Sequence, residues 1–245
     1  MPNTKETVVL IDGDQIAYKA AFACEQEIKW NEDIWSLVSS ESDVRSVIDA
    51  QIKQGKKETG ASSVIVAVSG SDNFRKDICS SYKANRTARK PLGLKAALEY
   101  LKNEYEALCA DRLEADDVIG IEAASNSNYI IWATDKDYFT VPCKLHQGGK
   151  LYKISQKQAD HNLRVQTITG DTVDNYKGVK GYGVKRAKAW LEKHNDTWQS
   201  VYELFIKNGQ TEHDFLTNAK LARIFRSSED YTWKPTYDIT KTTTS

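Results

Sequence analysis

The chain has 245 residues, 40% of them hydrophobic and 28% charged. That excludes a disordered protein and leaves room for one full domain, or one domain plus a small helical appendage. The 34 basic and 34 acidic side chains cancel to a formal net charge of +0, and runs such as Val64–Val68 are far too short to cross a bilayer, so no membrane role is expected. Met1–Glu6 carries no signal-peptide pattern, and Cys24, Cys79, Cys109 and Cys143 form no Cys-x-x-Cys pair. Free thiols and a cytoplasmic location are expected.

Taken in chain order, Thr7–Ile11 holds four apolar residues in a row before Asp12-Gly13-Asp14, as in a strand buried on both faces. Gln15–Cys24 reads as a helix. Glu27–Val38, with Trp30 and Trp35 around Asn31-Glu32-Asp33, reads as a hairpin. Asp43–Lys53 is an amphipathic helix with its cap near Ser42 or Asp43. Val64–Val68 is a second strand, followed by Ser69-Gly70-Ser71-Asp72. Polar, basic sequence leads to Pro91, which opens a helix to about Leu108. Leu113–Ala124 is a helix opened by acids, and Tyr129–Ala133 is a third strand ending in Thr134-Asp135-Lys136-Asp137. A hairpin follows over Val141–Ile154. Beyond Asp160 the chain reads as helical, broken at Gly170 and at Gly178-x-x-Gly181-x-Gly183, and the tail from Ser227 reads as extended.

Strands alternating with helices imply a mostly parallel α/β sheet flanked by helices. Ligands of such sheets bind outside the carboxyl ends of the strands. Three strands here end in polar clusters, Asp12/Asp14, Ser69/Asp72 and Asp135/Asp137. The charges are also segregated. Basic stretches at Arg75–Lys95 and Lys177–Lys193 flank an acidic one at Asp111–Asp137, which suits an enzyme whose bases hold a phosphate backbone and whose acids hold cations.

Eight carboxylates from four segments form the candidate site: Asp12, Glu114, Asp116, Asp117, Asp135, Asp137, Asp171 and Asp174. Residues three apart share a helix face, so Glu114 and Asp117 point the same way. Acids in a first turn also offset the helix dipole, which alone accounts for one or two of them. Gathering all eight without cations costs several kcal/mol. Hard dications, two Mg²⁺ or Mn²⁺ ions, fit an all-carboxylate set. Tyr82-Lys83-Ala84-Asn85-Arg86 pairs bases with an aromatic ring that can hold a phosphate and stack a base. Gly178, Gly181 and Gly183 allow a tight turn into a helix carrying Lys185 and Arg186, an arrangement for gripping a duplex backbone.

The ordered set Asp-Gly, Phe-Arg…Tyr-Lys-Ala-Asn-Arg, Leu-Glu-Ala-Asp-Asp, Thr-Asp-Lys-Asp and Gly-Asp-x-x-Asp-Asn-x-x-Gly-Val-x-Gly-x-Gly resembles the 5′-nuclease superfamily, over roughly residues 7 to 193. That group includes flap endonucleases, the 5′-nuclease domain of bacterial DNA polymerase I and phage 5′-exonucleases. The Asp12-Gly13-Asp14 start is most similar to the T-odd phage enzymes. The resemblance implies a Rossmann-like (PIN-like) catalytic domain over 1–165, with an arch at about 75–108, and a helix-hairpin-helix subdomain and tail over 166–245. It implies that Asp12, Glu114 and Asp116 serve one metal and Asp116, Asp135, Asp137 and Asp171 the other, with Asp117 and Asp174 acting through water. Lys83 and Arg86 would contact the scissile phosphate. Gly178, Gly181 and Gly183 would form the hairpin, with a bound K⁺. The implied protein is a monomer that cuts DNA at 5′ ends, flaps or nicks in replication, with RNA–DNA hybrids as a further substrate and a functional link to a DNA polymerase. One departure stands out. The family has an aspartate where this chain has Val68, and the nearest following acid is Asp72.

Two other readings compete. Asp12 and Asp14 match a haloacid-dehalogenase-type phosphatase, but Gln15-Ile16 stands where that class has a threonine. A non-catalytic DNA-structure binder would gain nothing from acids beside phosphates.

Overall fold

The structure is a computed structural model and describes residues 6–241. In chain order the elements are β1 (Val8–Asp12), α1 (Gly13–Ala23), β2 (Glu25–Lys29), β3 (Trp35–Ser39), α2 (Glu41–Thr59), β4 (Ser63–Ala67), α3 (Arg75–Ile78), α4 (Leu94–Glu104), α5 (Ala115–Ser125), β5 (Tyr129–Trp132), β6 (Lys144–Gln147) and β7 (Lys150–Lys153). They continue with α6 (Gln156–Thr169), β8 (Gly170–Asp171), β9 (Tyr176–Lys177), α7 (Val184–Lys193), α8 (Trp198–Lys207) and α9 (Glu212–Ala222).

The chain forms two compact units. The first comprises the residues up to Asp72, Ala88–Tyr138 and Cys143–Lys153. Its sheet has the order β4-β1-β5-β6-β7, parallel except for the last pair. The chain leaves β1 for β4 on one side and returns to β5 on the other, so β1 sits at the point where the strand order reverses. Alternation along β1 sends Val9 and Ile11 into a core shared with α1, α2 and α4. Leu10 is fully buried on the opposite face, where α5 packs against β1, β4 and β5. The expected strand pattern therefore holds, with helices on both faces.

Two sequence expectations shift. The cap of α2 is Ser40, whose Oγ accepts from the Asp43 amide at 3.4 Å. The helix expected from Pro91 to Leu108 runs only from Leu94 to Glu104. Leu108 is instead drawn to the β4 edge, donating to Val66 and accepting from Val68, each at 2.8 Å. An open strand edge with unpaired backbone groups outweighs one more helical turn. Ala97 and Leu101 of α4 are buried in the same core as α1 and α2, so this part of the 75–108 segment is packed helix rather than a free arch.

The second unit comprises Asn73–Thr87, Phe139–Pro142 and the chain from Ile154 onward. Helices α6 to α9 enclose a core that includes Ile168, Leu191, Leu204, Phe205 and Phe215. Arg75 is buried here and donates to the carbonyls of Leu221 and Arg223 at 3.3 and 2.7 Å. That base of the first basic stretch is thus structural. The tail from Ser227 is not the extended chain expected: it is irregular, with 3-10 turns at Asp230–Thr232 and Ile239–Lys241, and Trp233 and Tyr237 pack against the helical core; its last four residues, and residues 1–5, lie outside the described residues. Among the described residues no helix is long and apolar enough to cross a membrane, and all four cysteines are free.

Candidate active site

The first turn of α1 organises the carboxyl ends of three strands. Asp12, the last residue of β1, caps the helix by accepting from the Gln15 amide at 3.0 Å. Both carboxylate oxygens of Asp14 accept from the Ser69 amide at 3.2 Å, which ties the helix to the end of β4. Gln15 accepts from the Thr134 hydroxyl at 2.9 Å, tying it to the end of β5. Gly13 makes this closeness possible. A Cβ there would lie 2.7 Å from the Ala67 carbonyl oxygen and 2.7 Å from a Val68 methyl.

The acids of α5 enter the same site. Ser69 Oγ accepts from the Ala115 amide at 3.1 Å, so the end of β4 also holds the start of α5. Glu114 and Asp117 form a capping box, with Asp117 accepting from the Glu114 amide at 3.2 Å. Asp117 is fully buried. Ligand oxygens of Glu114, Asp116 and Asp117 lie within 4.8 Å of one another, a grouping that can hold a metal ion. After β5, Asp135 accepts from the Asp137 amide at 2.9 Å, and Gln147 donates to the Asp135 carbonyl at 3.0 Å. Asp137 thus supports Asp135 through its backbone.

Electrostatics shows which acids converge. Burial, then the negative charges of Asp14 and Asp135, push the Asp12 carboxyl up to about 7, against the Gln15 amide, which lowers it. Burial raises the Tyr138 hydroxyl far above its ordinary value, and the negative charges of Asp12, Asp116, Asp135 and Asp117 raise it further. One buried tyrosine therefore feels acids from three separate segments. Its hydroxyl makes no hydrogen bond among the described residues. A buried polar atom beside mutually repelling carboxylates fits a site made for cations and their water. The sequence alone gave no reason to single out Tyr138.

The missing family aspartate has a structural explanation. Val68 is buried in the core, and Asp72 is exposed. The acid that does reach the end of β4 is Asp14, through the Ser69 amide.

The remaining candidates lie in the second unit. Asp171 Oδ1 accepts from the amides of Val173 and Asp174 at 2.8 and 3.3 Å. Asp174 pairs with Arg86 at 2.6 Å and with Lys83 at 3.7 Å. Tyr82 is only 4% exposed and donates its hydroxyl to Asp174 at 3.0 Å. Burial leaves its ring no free face, so it does not offer the base-stacking surface expected of it. Gly178 is also a packing residue, since a Cβ there would lie 2.1 Å from the Ile168 carbonyl oxygen. Gly181 adopts φ +82° and accepts from Arg186 at 2.9 Å, and Gly183 caps α7. A cleft of about 660 Å³ runs along this turn, lined by Thr169, Thr172 and Tyr176 to Gly183. Lys180, Lys185 and Arg186 are exposed there.

Residues 7–172 match the family described as 5′-3′ exonuclease, N-terminal resolvase-like domain. The chain belongs to this 5′-3′ exonuclease family. As a member of it, the chain is similar to the exonuclease of Escherichia phage T7, 28% identical over 280 residues covering 93% of each chain. It is equally similar to the exodeoxyribonuclease of Enterobacteria phage T3, at 28% identity and the same coverage. A thermostable DNA polymerase I of Thermus aquaticus is 29% identical over 83% of this chain and 25% of its own length. In fold, the 5′-3′ exonuclease chain is similar to a bacteriophage T5 flap endonuclease solved with DNA and metal ions, at TM-score 0.63 and 18% identity, covering 88% of each chain. It is likewise similar to a T5 5′-exonuclease solved with zinc, at TM-score 0.64 and 19% identity, covering 88% of each. Family membership excludes the phosphatase reading of Asp12 and Asp14.

Proposed function

We propose that the chain is a metal-dependent 5′-3′ exonuclease that also cuts 5′ flaps in DNA, leaving a 5′-phosphate and a 3′-hydroxyl. The observation that carries this reading is the grouping of Glu114, Asp116 and Asp117 oxygens within 4.8 Å of one another, beside the strand end where Ser69 also holds Asp14.

Asp12, Glu114, Asp116 and Asp117 would hold one hard cation, and Asp135 with Asp137 would hold a second. Two such ions, Mg²⁺ or Mn²⁺, supply when bound an acidified water and a counter-charge for the leaving oxygen. The protein's own part is positioning. Asp12 and Asp14 set the end of β1 against the end of β4, and the Glu114–Asp117 capping box fixes α5 at the same place. Lys83 and Arg86 bind the scissile phosphate, and Arg suits its paired oxygens. The turn at Gly181 and Gly183, with Lys185 and Arg186, grips the duplex through its phosphates, without sequence preference.

A panel of end-labelled flap, nicked, blunt and RNA-primed duplexes, with and without Mg²⁺, tests this. The expected outcome is Mg²⁺-dependent release of short 5′ products from flaps and ends. Cutting of the RNA-primed duplex assigns primer removal as well. Equal cutting in EDTA would sink the metal-dependent reading.

A further inference from the structure

We propose that Asp174 is a positioning residue that holds Lys83 and Arg86 as a paired phosphate clamp, and is not a metal ligand. This rests on the nuclease reading above and changes the role that the family resemblance gives to Asp174.

The Asp174 carboxylate is already surrounded by donors. Oδ1 accepts from Arg86 Nη2 at 2.6 Å, Oδ2 accepts from the Tyr82 hydroxyl at 3.0 Å, and Lys83 Nζ lies 3.7 Å from Oδ2. The Asp174 side chain is 17% exposed and that of Lys83 is 19% exposed. The enclosed Lys83 and the more exposed Arg86 together neutralise the carboxylate and repel a dication approaching it. Asp12 shows the reverse, with burial and the negative charges of Asp14 and Asp135 pushing its carboxyl up.

The backbone shows that this arrangement is built. Lys83 adopts φ +56°, a left-handed conformation unfavourable for a residue with a side chain. Its amide donates to the Asp174 carbonyl at 2.9 Å. Asn85 donates to the Thr172 carbonyl at 3.0 Å, and Asn175 donates to the Ser81 carbonyl at 2.8 Å. Residues 81–86 are thus strapped to residues 172–175 by contacts independent of the Asp174 carboxylate. Lys83 Nζ also lies 5.0 Å from the centroid of the Tyr82 ring, which anchors the turn in its core. With the carboxylate gone, the turn stays while the two cations lose their common reference. Arg86, with its side chain 53% exposed, is the one able to swing to a substrate phosphate.

The test is Asp174→Asn in the full chain, assayed on flap DNA alongside Mn²⁺ binding by titration. The expected result is a fall in kcat of about tenfold to a hundredfold, as for a misplaced catalytic group. KM should not rise, and Mn²⁺ affinity should stay within about twofold, where loss of a true ligand or its support costs about tenfold or more. In an Arg86→Ala background the same change should add little, because the two residues act as one unit. Tyr82→Phe keeps the buried ring and removes one donor to Asp174, so it should lower kcat in the same sense with Mn²⁺ binding intact. A tenfold loss of Mn²⁺ affinity in Asp174→Asn, additive effects with Arg86→Ala, or an unchanged kcat in both variants would overturn the proposal. If the wild-type protein itself does not cut flap DNA, the nuclease reading fails and takes this proposal with it.

Discussion

The acids at the carboxyl ends of β1 and β5 and the acids of the 171–175 turn are the same residue types in opposite electrostatic settings. Asp12, Asp116, Asp117 and Asp135 all act on the buried Tyr138 hydroxyl, and Asp12 is raised to about 7 by burial and by Asp14 and Asp135. In the turn, Asp174 faces Lys83 and Arg86, and Asp171 accepts from two backbone amides. A buried carboxyl pushed up by neighbouring acids calls for a cation, whereas a carboxylate that accepts from lysine, arginine and amides already has its counter-charges within the protein. The comparison teaches that the number of acids does not identify a metal site. What the acids face identifies it.

The largest expected effect comes from removing an acid of the first kind. Asp116→Ala should cut flap DNA about a thousandfold more slowly at saturating Mg²⁺. Its affinity for duplex DNA, measured in Ca²⁺ or EDTA, should stay near that of the wild type. A comparable loss of DNA binding would erase the distinction between the two clusters.

The next effect in size is a pH dependence of stability set by Asp12. Its folded-state value is raised from 3.8 to about 7, so between those values the folded protein holds a proton that the unfolded chain has released. Stability of the metal-free protein should therefore fall as pH rises from about 4 to about 7, by at most about 4 kcal/mol from this group, less what solvent screens. Mg²⁺ should restore the loss at pH 8 and do little at pH 5, because metal and proton compete for the same carboxylate. Thermal melts in EDTA and in Mg²⁺ at both values check this. Asp12→Asn should flatten the pH dependence and remove most of the Mg²⁺ gain.

A third, smaller effect tests the scaffold that brings the strand ends together. Gly13→Ala forces a Cβ to 2.7 Å from the Ala67 carbonyl oxygen and should cost about 1–3 kcal/mol, read as a lower Tm. Because α1 moves away from β4, metal affinity should drop as well. An unchanged Tm would show that the Asp14–Ser69 contact does not depend on this close approach.

The smallest expected effects lie at the exposed bases of the glycine turn. Lys185→Ala and Arg186→Ala should each weaken duplex binding about equally across sequences and lower the salt slope by about one. Cutting at saturating DNA should be retained. A change in sequence preference would argue against a backbone grip.

Much of this was legible in the sequence. The apolar runs before Asp12, Ser69 and Asp135 gave the parallel strands, and the strand-end rule placed those polar clusters in one region. Local signals are strong there because a strand buried on both faces has no polar alternative. Helix ends were less legible. The α2 cap moved to Ser40, and Leu108 joined the β4 edge, because backbone groups with tertiary partners decide where a helix stops.

The chemically capable residues, and the strands and helices that carry them, follow from the order of amino acids. How those residues are used follows from the folded packing. It buried Tyr138 among four acids, put Asp14 at the end of β4 where Val68 could not serve, and turned Tyr82 and Gly178 inward. The physical reason is that periodicity and spacing are local, whereas burial and the sign of the nearest charge depend on segments far apart in the chain.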